Sequence, residues 1–279
     1  MKTILITGAS SGFGMLAAVE LAARGHRVMA TMRTLDKAKE LIKLAEEKDA
    51  GSQVLLHQLD VASADSIASL KEYLQGIDRV DVLINNAGFA AGGFSEEISI
   101  EEYREQFETN FFGVMAVTQA VLPIMRAQRS GKILNMSSIS GLIGFPGLSP
   151  YVSSKHALEG YSESLRLEMK PFGIDVALIE PGSFSTNIWT TGKKVADASL
   201  DEASPYFGYM TAIEKEMERG SKNHGDPMDV VKLLADLCER DRLKELRFPI
   251  GKGVKAAILL KKVIPWKKWE AAVMKKLGF

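Results

Sequence analysis

Tyr151 and Lys155 stand four residues apart in Tyr-Val-Ser-Ser-Lys, with Ser138 thirteen positions upstream. On a helix, that spacing puts phenol and ammonium on one face, a turn apart. A free tyrosine titrates near ~10, and a neighbouring positive charge favours its phenolate. Lowering it by about three units takes roughly 4 kcal/mol of differential stabilisation, much of which a lysine in a desolvated site can supply. Such a phenol exchanges a proton with a substrate oxygen near neutrality, which is the chemistry of a redox enzyme. The same spacing also fits an ordinary helix with an exposed lysine and a half-buried tyrosine, so the surroundings must decide.

Those surroundings are regular. Strand-like apolar runs at 2–7, 27–32, 54–59, 82–85, 132–136 and 175–179 alternate with helical patterns at 12–24, 35–47, 64–75, 101–129 and 151–171. Strands apolar on both faces and joined by helices predict a parallel sheet covered on each side, with right-handed crossovers. The expected fold class is α/β, a single Rossmann-type doubly wound sheet over 1–250 followed by a helical extension over 251–279. Sheets of this type bind ligands at the carboxyl ends of their strands. The unusual residues sit there: 8–14, Arg33, Asp60, 85–88, Ser138 and 181–186. Past Thr186 the alternation lapses, and 187–225, with Trp189, Tyr206, Phe207 and Tyr209, suits a mobile loop and a short helix serving as a substrate lid. Asp226 and Pro227 then fit the N-cap and first position of a helix over 227–240, before a strand-like 246–250.

The first strand meets the first helix at Thr-Gly-Ala-Ser-Ser-Gly-Phe-Gly, where Gly8, Gly12 and Gly14 permit a tight turn and close approach of a ligand to the backbone of Ser10, Ser11 and Phe13. The unpaired N–H groups and dipole of a helix N-terminus favour an anion there, by about 0.3–2 kcal/mol for the dipole alone. Its place at the first βα junction separates it from a plain glycine-rich turn. The second strand ends Ala30-Thr31-Met32-Arg33 and carries no carboxylate to accept a ribose 2′-OH. Arg33 can instead meet a phosphate with a charge-assisted fork, and Ser10 or Ser11 can add a hydroxyl. Asp36 lies three residues further on, where the next helix is expected. The reading is NADP(H) as cofactor, with a solvated surface charge as the alternative role for Arg33.

Residues 7–14, Asn85-Asn-Ala-Gly88, Ser138 and Tyr151-x-x-x-Lys155 occur in order and at strand ends, and together they resemble the short-chain dehydrogenase/reductase family over roughly residues 2–250. The Ala-Thr-Met-Arg segment and the long C-terminal extension most resemble its NADP-using 17β-hydroxysteroid and retinol dehydrogenase-like branch. The resemblance implies that Tyr151 is the general acid or base, that Ser138 hydrogen-bonds the substrate oxygen, and that Lys155 lowers the tyrosine's pKa and holds the nicotinamide ribose. It implies that Asn110 anchors a water linking Lys155 to solvent. Asp60 and the Val61 backbone would meet the adenine, Asn86, Ala87 and Gly88 the adenosine ribose, and Pro181, Gly182, Phe184 and Thr186 the nicotinamide carboxamide. From the residues alone, Asp60 can also cap its turn, and Asn85 and Asn86 can satisfy turn backbone. Ser137 and Ser140 are near alternatives to Ser138, which alone has the family's thirteen-residue offset from Tyr151. Family members commonly dimerise, so a homodimer or homotetramer through helices 101–129 and 151–171 is implied.

Composition bounds the rest. A hydrophobic fraction of 46% and a charged fraction of 25% suit a soluble globular chain, and 35 basic against 35 acidic residues give no global positive field for nucleic acid. Cys238 is the only cysteine, no metal site is expected, and a cytoplasmic location is the default. No apolar run approaches the ~20 residues of a spanning helix. Residues 251–279 carry eight lysines against Glu270, and Trp266, Trp269, Val273 and Leu277 follow helical spacing. That tail fits a helix on a membrane surface, over the substrate cleft or against a partner subunit. With Phe89, Phe94, Leu142 and Phe145 flanking the expected cleft, the function expected is NADP(H)-dependent interconversion of an alcohol and a ketone or aldehyde on an apolar, steroid-, retinoid- or fatty-like substrate. A 3-oxoacyl carrier-protein reductase and a non-catalytic NADP-sensing protein are the other readings.

Overall fold

The computed structural model describes residues 1–186, 192–221 and 224–279. Its strands are β1 (Thr3–Ile6), β2 (Arg27–Met32), β3 (Val54–Gln58), β4 (Val82–Asn85), β5 (Ala90–Gly92), β6 (Gly131–Met136), β7 (Ile174–Pro181), β8 (Lys193–Val195) and β9 (Arg247–Ile250). Seven of them make one sheet in the order β3-β2-β1-β4-β6-β7-β9, with every pairing parallel. The helices are α1 (Gly12–Ala23), α2 (Lys39–Glu46), α3 (Ala64–Gln75), α4 (Ile100–Phe107), α5 (Gly113–Gln128), α6 (Ser149–Met169), α7 (Phe207–Ser221), α8 (Pro227–Glu239), α9 (Val254–Val263) and α10 (Trp266–Leu277).

Strand side chains alternate between two buried layers. Ile4 and Ile6 of β1 join α1, α2 and α8 in one apolar cluster, while Leu5 joins α3 and α5 in the other. Each fully buried Leu or Ile contributes about 1.5–3 kcal/mol, so both faces must be covered, and the βα rhythm covers them. Chain order reverses between β1 and β4, which leaves a crevice at their carboxyl ends. Local signals place the helices: Asp226 accepts from Met228 N at 2.9 Å to cap α8, and Ser99 and Glu102 form a reciprocal capping box on α4.

Two expectations change. The helix expected over 101–129 is interrupted by a π turn, Glu108–Phe112, where Gly113 N reaches back to Glu108 O. Gly113 is pressed on Val61, where a Cβ would fall 2.8 Å from Val61 Cγ2, so α5 has to sit close to the loop after β3. The wider turn absorbs one residue and re-aims Asn110 inward. Within 187–225, residues 187–191 and 222–223, including Trp189, lie outside the described residues. The described part holds β8, which pairs in parallel with β5, and the fifteen-residue α7, longer than the short helix expected. The tail forms α9 and α10, and α10 leans on α7: the Tyr209 hydroxyl is 3.5 Å from Met274 Sδ, the Tyr209 and Phe279 rings are 4.6 Å apart, and Lys276 pairs with Glu216 at 2.8 Å. Among the described residues no helix is long and apolar enough to cross a membrane.

Candidate active site

A cavity of about 900 Å³ opens at the carboxyl ends of β1, β2, β4, β6 and β7. It is within the usual range for a small-molecule site. Every residue singled out as catalytic or cofactor-binding lines it except Gly14.

The loop after β1 builds the floor. Gly8 and Gly12 have φ of +68° and +56°, the left-handed region that glycine adopts without strain. A Cβ on Gly8 would fall 2.7 Å from Ala87 Cα, so the loops after β1 and β4 touch backbone to backbone. Thr7 Oγ1 accepts from Asn86 N at 2.9 Å and Ala87 N at 3.0 Å, while Asn86 Nδ2 donates to the carbonyls of Thr7 and Gly8 at 3.0 and 3.1 Å. Asn86 is therefore a strap between two loops as well as a wall of the cavity. Gly14 sits underneath, where a Cβ would come within 2.5 Å of Gly8 O, and it serves the cavity by letting α1 tuck under the loop. Ser11 is the N-cap of α1 yet makes no side-chain cap bond. That leaves its hydroxyl and the first-turn N–H groups facing the cavity, the arrangement an anionic phosphate takes.

Arg33 lines the cavity at the end of β2, its carbonyl held by Gln58 Nε2 at 3.0 Å. Lys37 lines it too, and the sequence reading did not weigh it. The region expected to begin a helix at residue 35 starts as a tight 3₁₀ turn, Leu35–Ala38, which turns Lys37 back toward Arg33's side of the cavity. A basic residue four positions after Arg33 was the available signal. Among the described residues neither cation is held in an ion pair. Asp60 and Val61 line the adjoining wall, and Asp60 Oδ1 also accepts from Ala62 N at 3.0 Å, so it caps its turn as well.

Ser138, Tyr151 and Lys155 converge from β6's end and the first turns of α6. The Ser138 hydroxyl accepts from Ser140 N at 3.1 Å and hydrogen-bonds the Tyr151 phenol. Ser137 turns the other way and donates to Glu159 Oε1 at 2.5 Å, which leaves Ser138 as the serine at the phenol. Lys155 Nζ lies 5.7 Å from the Tyr151 ring centre and donates to Met136 O at 2.7 Å. Tyr151 and Lys155 are only 3% and 6% exposed, which corrects one expectation. Burial pushes the Tyr151 phenol up to about 12, and the Ser138 hydrogen bond pulls the other way. Lys155 does not bring it down; burial pushes Lys155 itself down to about 8, with the charge of Glu159 opposing.

Asn110 also faces the cavity, but its amide is engaged: Nδ2 donates to Phe89 O at 3.0 Å and Oδ1 accepts from Phe89 N at 3.1 Å. It holds the chain after Gly88 in place. On the far side Gly182 N donates to Ile250 O at 2.9 Å, and the Phe184 ring packs edge-on to Phe13 at 5.8 Å, seated where a Cβ on Gly225 would intrude to 2.5 Å. Pro181, Gly182, Phe184 and Thr186 thereby form a second wall opposite the phosphate loop. Of the expected apolar flank, Phe89 lines the cavity, while Phe94, which stacks on Tyr206 at 4.5 Å and lies tilted to Tyr209 at 5.1 Å, stands off it with Leu142 and Phe145. A glycine loop at a helix N-terminus, two cations lining the same cavity, flanking loops and a buried phenol are parts that suit a nicotinamide dinucleotide and its reaction.

Comparison with known proteins agrees with this geometry. The model of the family described as short chain dehydrogenase matches residues 2–196. The uncharacterized oxidoreductase YusZ of Bacillus subtilis (strain 168) is 48% identical over 276 residues, covering 99% of this chain and 98% of its own. The 3-ketodihydrosphingosine reductase of Bacteroides thetaiotaomicron is 38% identical, covering 95% and 93%. Human retinol dehydrogenase 8 is 38% identical, covering 86% and 79%. A crystal structure of a short-chain dehydrogenase from Streptomyces avermitilis superimposes with a TM-score of 0.80 at 32% identity, covering 100% and 98%. With its Rossmann-type sheet, its glycine loop and its Ser138–Tyr151–Lys155 cluster all in place, this chain belongs to the short-chain dehydrogenase family of oxidoreductases.

Proposed function

We propose that the protein is an NADP(H)-dependent oxidoreductase that interconverts an alcohol and a ketone or aldehyde on an apolar substrate, with residues 1–250 as the catalytic unit and 251–279 as an appendage. The observation that carries this reading is the hydrogen-bonded Ser138–Tyr151 pair in a buried corner of the dinucleotide-sized cavity, with Lys155 one helical turn behind it.

The nicotinamide group, when bound, supplies or accepts the hydride at the carbinol carbon. Tyr151, protonated at neutral pH, gives its proton to the oxygen on which negative charge develops, and Ser138 Oγ donates a hydrogen bond to that same oxygen. Both donors are fixed before reaction, so little reorganisation is needed. Lys155, with a pKa near 8, exchanges protons close to neutrality and reloads the phenol while holding a ribose hydroxyl. Asn110 keeps the loop after Gly88 at the distance this relay needs and anchors its water. The phosphorylated cofactor is favoured because Arg33 and Lys37 flank the end of β2, where the cavity presents no carboxylate of β2 or its turn. A phenol that keeps its proton at neutrality favours carbonyl reduction.

For the substrate, the cavity-lining Phe89 and Met136 support an apolar body. The relatives named for a ketosphingoid base and for retinol support a long-chain or polyene carbonyl. The test is NADPH oxidation with a panel containing a 3-ketosphingoid base, retinal, a steroid ketone and medium-chain ketones. Turnover of at least one is expected. Tyr151→Phe should lower kcat by about 10²–10⁴ while leaving NADPH binding by fluorescence unchanged. Retention of activity within threefold of wild type would mean that another group donates the proton.

A further inference from the structure

We propose that α9 and the start of α10 form a docking surface for an anionic lipid bilayer. The inference is independent of the reaction assigned above.

Ala256, Leu259, Leu260 and Val263 recur at i, i+3, i+4 and i+7 and so form one stripe along α9. Val254, which is buried, and Ile258 lie on the opposite side of the helix, against the body of the protein. The stripe therefore points outward. Leu259 is 62% exposed, Leu260 47% and Val263 66%, and Trp266 at the start of α10 is 61% exposed, four large apolar side chains within eight residues. Lys255 and Lys262 edge the stripe, and Lys252, Lys267 and Lys268 continue the positive rim, all of them exposed. Lys261 bends over the Trp266 ring at 4.1 Å, so even its ammonium stays beside the apolar patch.

The chemistry of the patch selects its occupant. Six lysines and no acidic residue in residues 251–269 make the surface strongly cationic in a chain whose formal net charge is zero. A second copy meeting it symmetrically would oppose one cationic rim with another, which is unfavourable. A bilayer carrying anionic headgroups satisfies both features at once: the headgroups meet the lysine rim and the acyl boundary takes the Leu259, Leu260, Val263 and Trp266 side chains. The long lysine stems reach from the apolar level to the headgroups. At ten residues, α9 is too short to span and would lie in the interface.

The experiment is flotation of the intact chain with phosphatidylcholine vesicles, with or without about one-third phosphatidylglycerol, compared with Leu259→Glu/Val263→Glu and Lys255→Glu/Lys267→Glu variants. These four side chains are exposed, so the variants should melt with the wild type. Wild type is expected to float with anionic vesicles and to remain behind with neutral ones. The lysine variant should lose more than tenfold in partitioning, at roughly fivefold per lysine near an anionic surface, and the apolar variant at least about tenfold. The proposal is overturned if the wild type stays in the dense fraction with anionic vesicles, if it floats equally on neutral ones, or if either variant floats as well as wild type. It is also overturned if the apolar variant breaks up an oligomer in the absence of lipid, since a second copy would then be the occupant.

Discussion

Behind the site, one cation serves too many carboxylates, and the protein's stability should carry the signature. Arg247 on β9 donates through Nε to Glu159 Oε2 at 2.9 Å and through Nη2 to Glu163 Oε1 at 2.6 Å. Glu180 on β7 is 1% exposed, and its Oε1 lies 3.2 Å from the same Nε without receiving a hydrogen bond, because that N–H is directed at Glu159. Burial first, and then the charge of Glu159, push Glu180 from 4.5 up to about 7 against the pull of Arg247 and Lys262. A carboxyl with a raised folded-state pKa holds its proton where the unfolded chain has released it. Stability is therefore lost as pH rises from about 4.5 to 7 and levels off above. A gap of about 2.5 units corresponds to about 3 kcal/mol. Glu180→Gln keeps the shape and removes the titration. It should melt with wild type at about pH 4.5 and be more stable by up to about 3 kcal/mol at about pH 8, or roughly 6–12 °C in Tm for a chain of this size. Calorimetry of both proteins across that range reads the difference, in which the other carboxyls cancel. A Tm difference that does not change with pH would refute the reasoning.

Arg33→Ala with Lys37→Ala removes two charge-assisted contacts to a 2′-phosphate; NADPH affinity by fluorescence should fall about 10- to 100-fold while NADH affinity changes by less than about threefold. Equal losses for the two cofactors would place the phosphate elsewhere. Phe112 and Leu167, 49% and 76% exposed on the α5 and α6 side, favour a homodimer or homotetramer built through those helices. Light scattering should give that mass for wild type and a monomer for Phe112→Arg/Leu167→Arg, and a monomeric wild type would remove the assembly reading.

The central strands were legible because they are short, mostly apolar runs buried on both faces, β1, β2 and β4 above all. Met29 and Ala30, adjacent on β2, end in opposite clusters, as a two-faced sheet demands. The loop residues were legible for a different reason: Gly8 has to be glycine at a positive φ, with Ala87 pressed against it. The π turn at 108–112 was invisible because no local signal marks it, and the residue that follows it, Gly113, packs on Val61, fifty-two positions away. Lys37 was missed for want of the 3₁₀ turn that aims it.

Local chemistry written in the chain thus determined the βα order, the glycine loop and the choice of Ser138, Tyr151 and Lys155 as candidate reacting groups, since spacing along a helix and position after a strand are properties of neighbouring residues. Tertiary structure decided their electrostatics. The expected acidification of Tyr151 by Lys155 gave way to burial, which pushes the phenol up to about 12 and the amine down to about 8. Tertiary packing also put Glu180 beside Glu159 and turned the apolar stripe of α9 outward. Charge and exposure depend on what the whole fold removes from water, and no run of neighbouring residues records that.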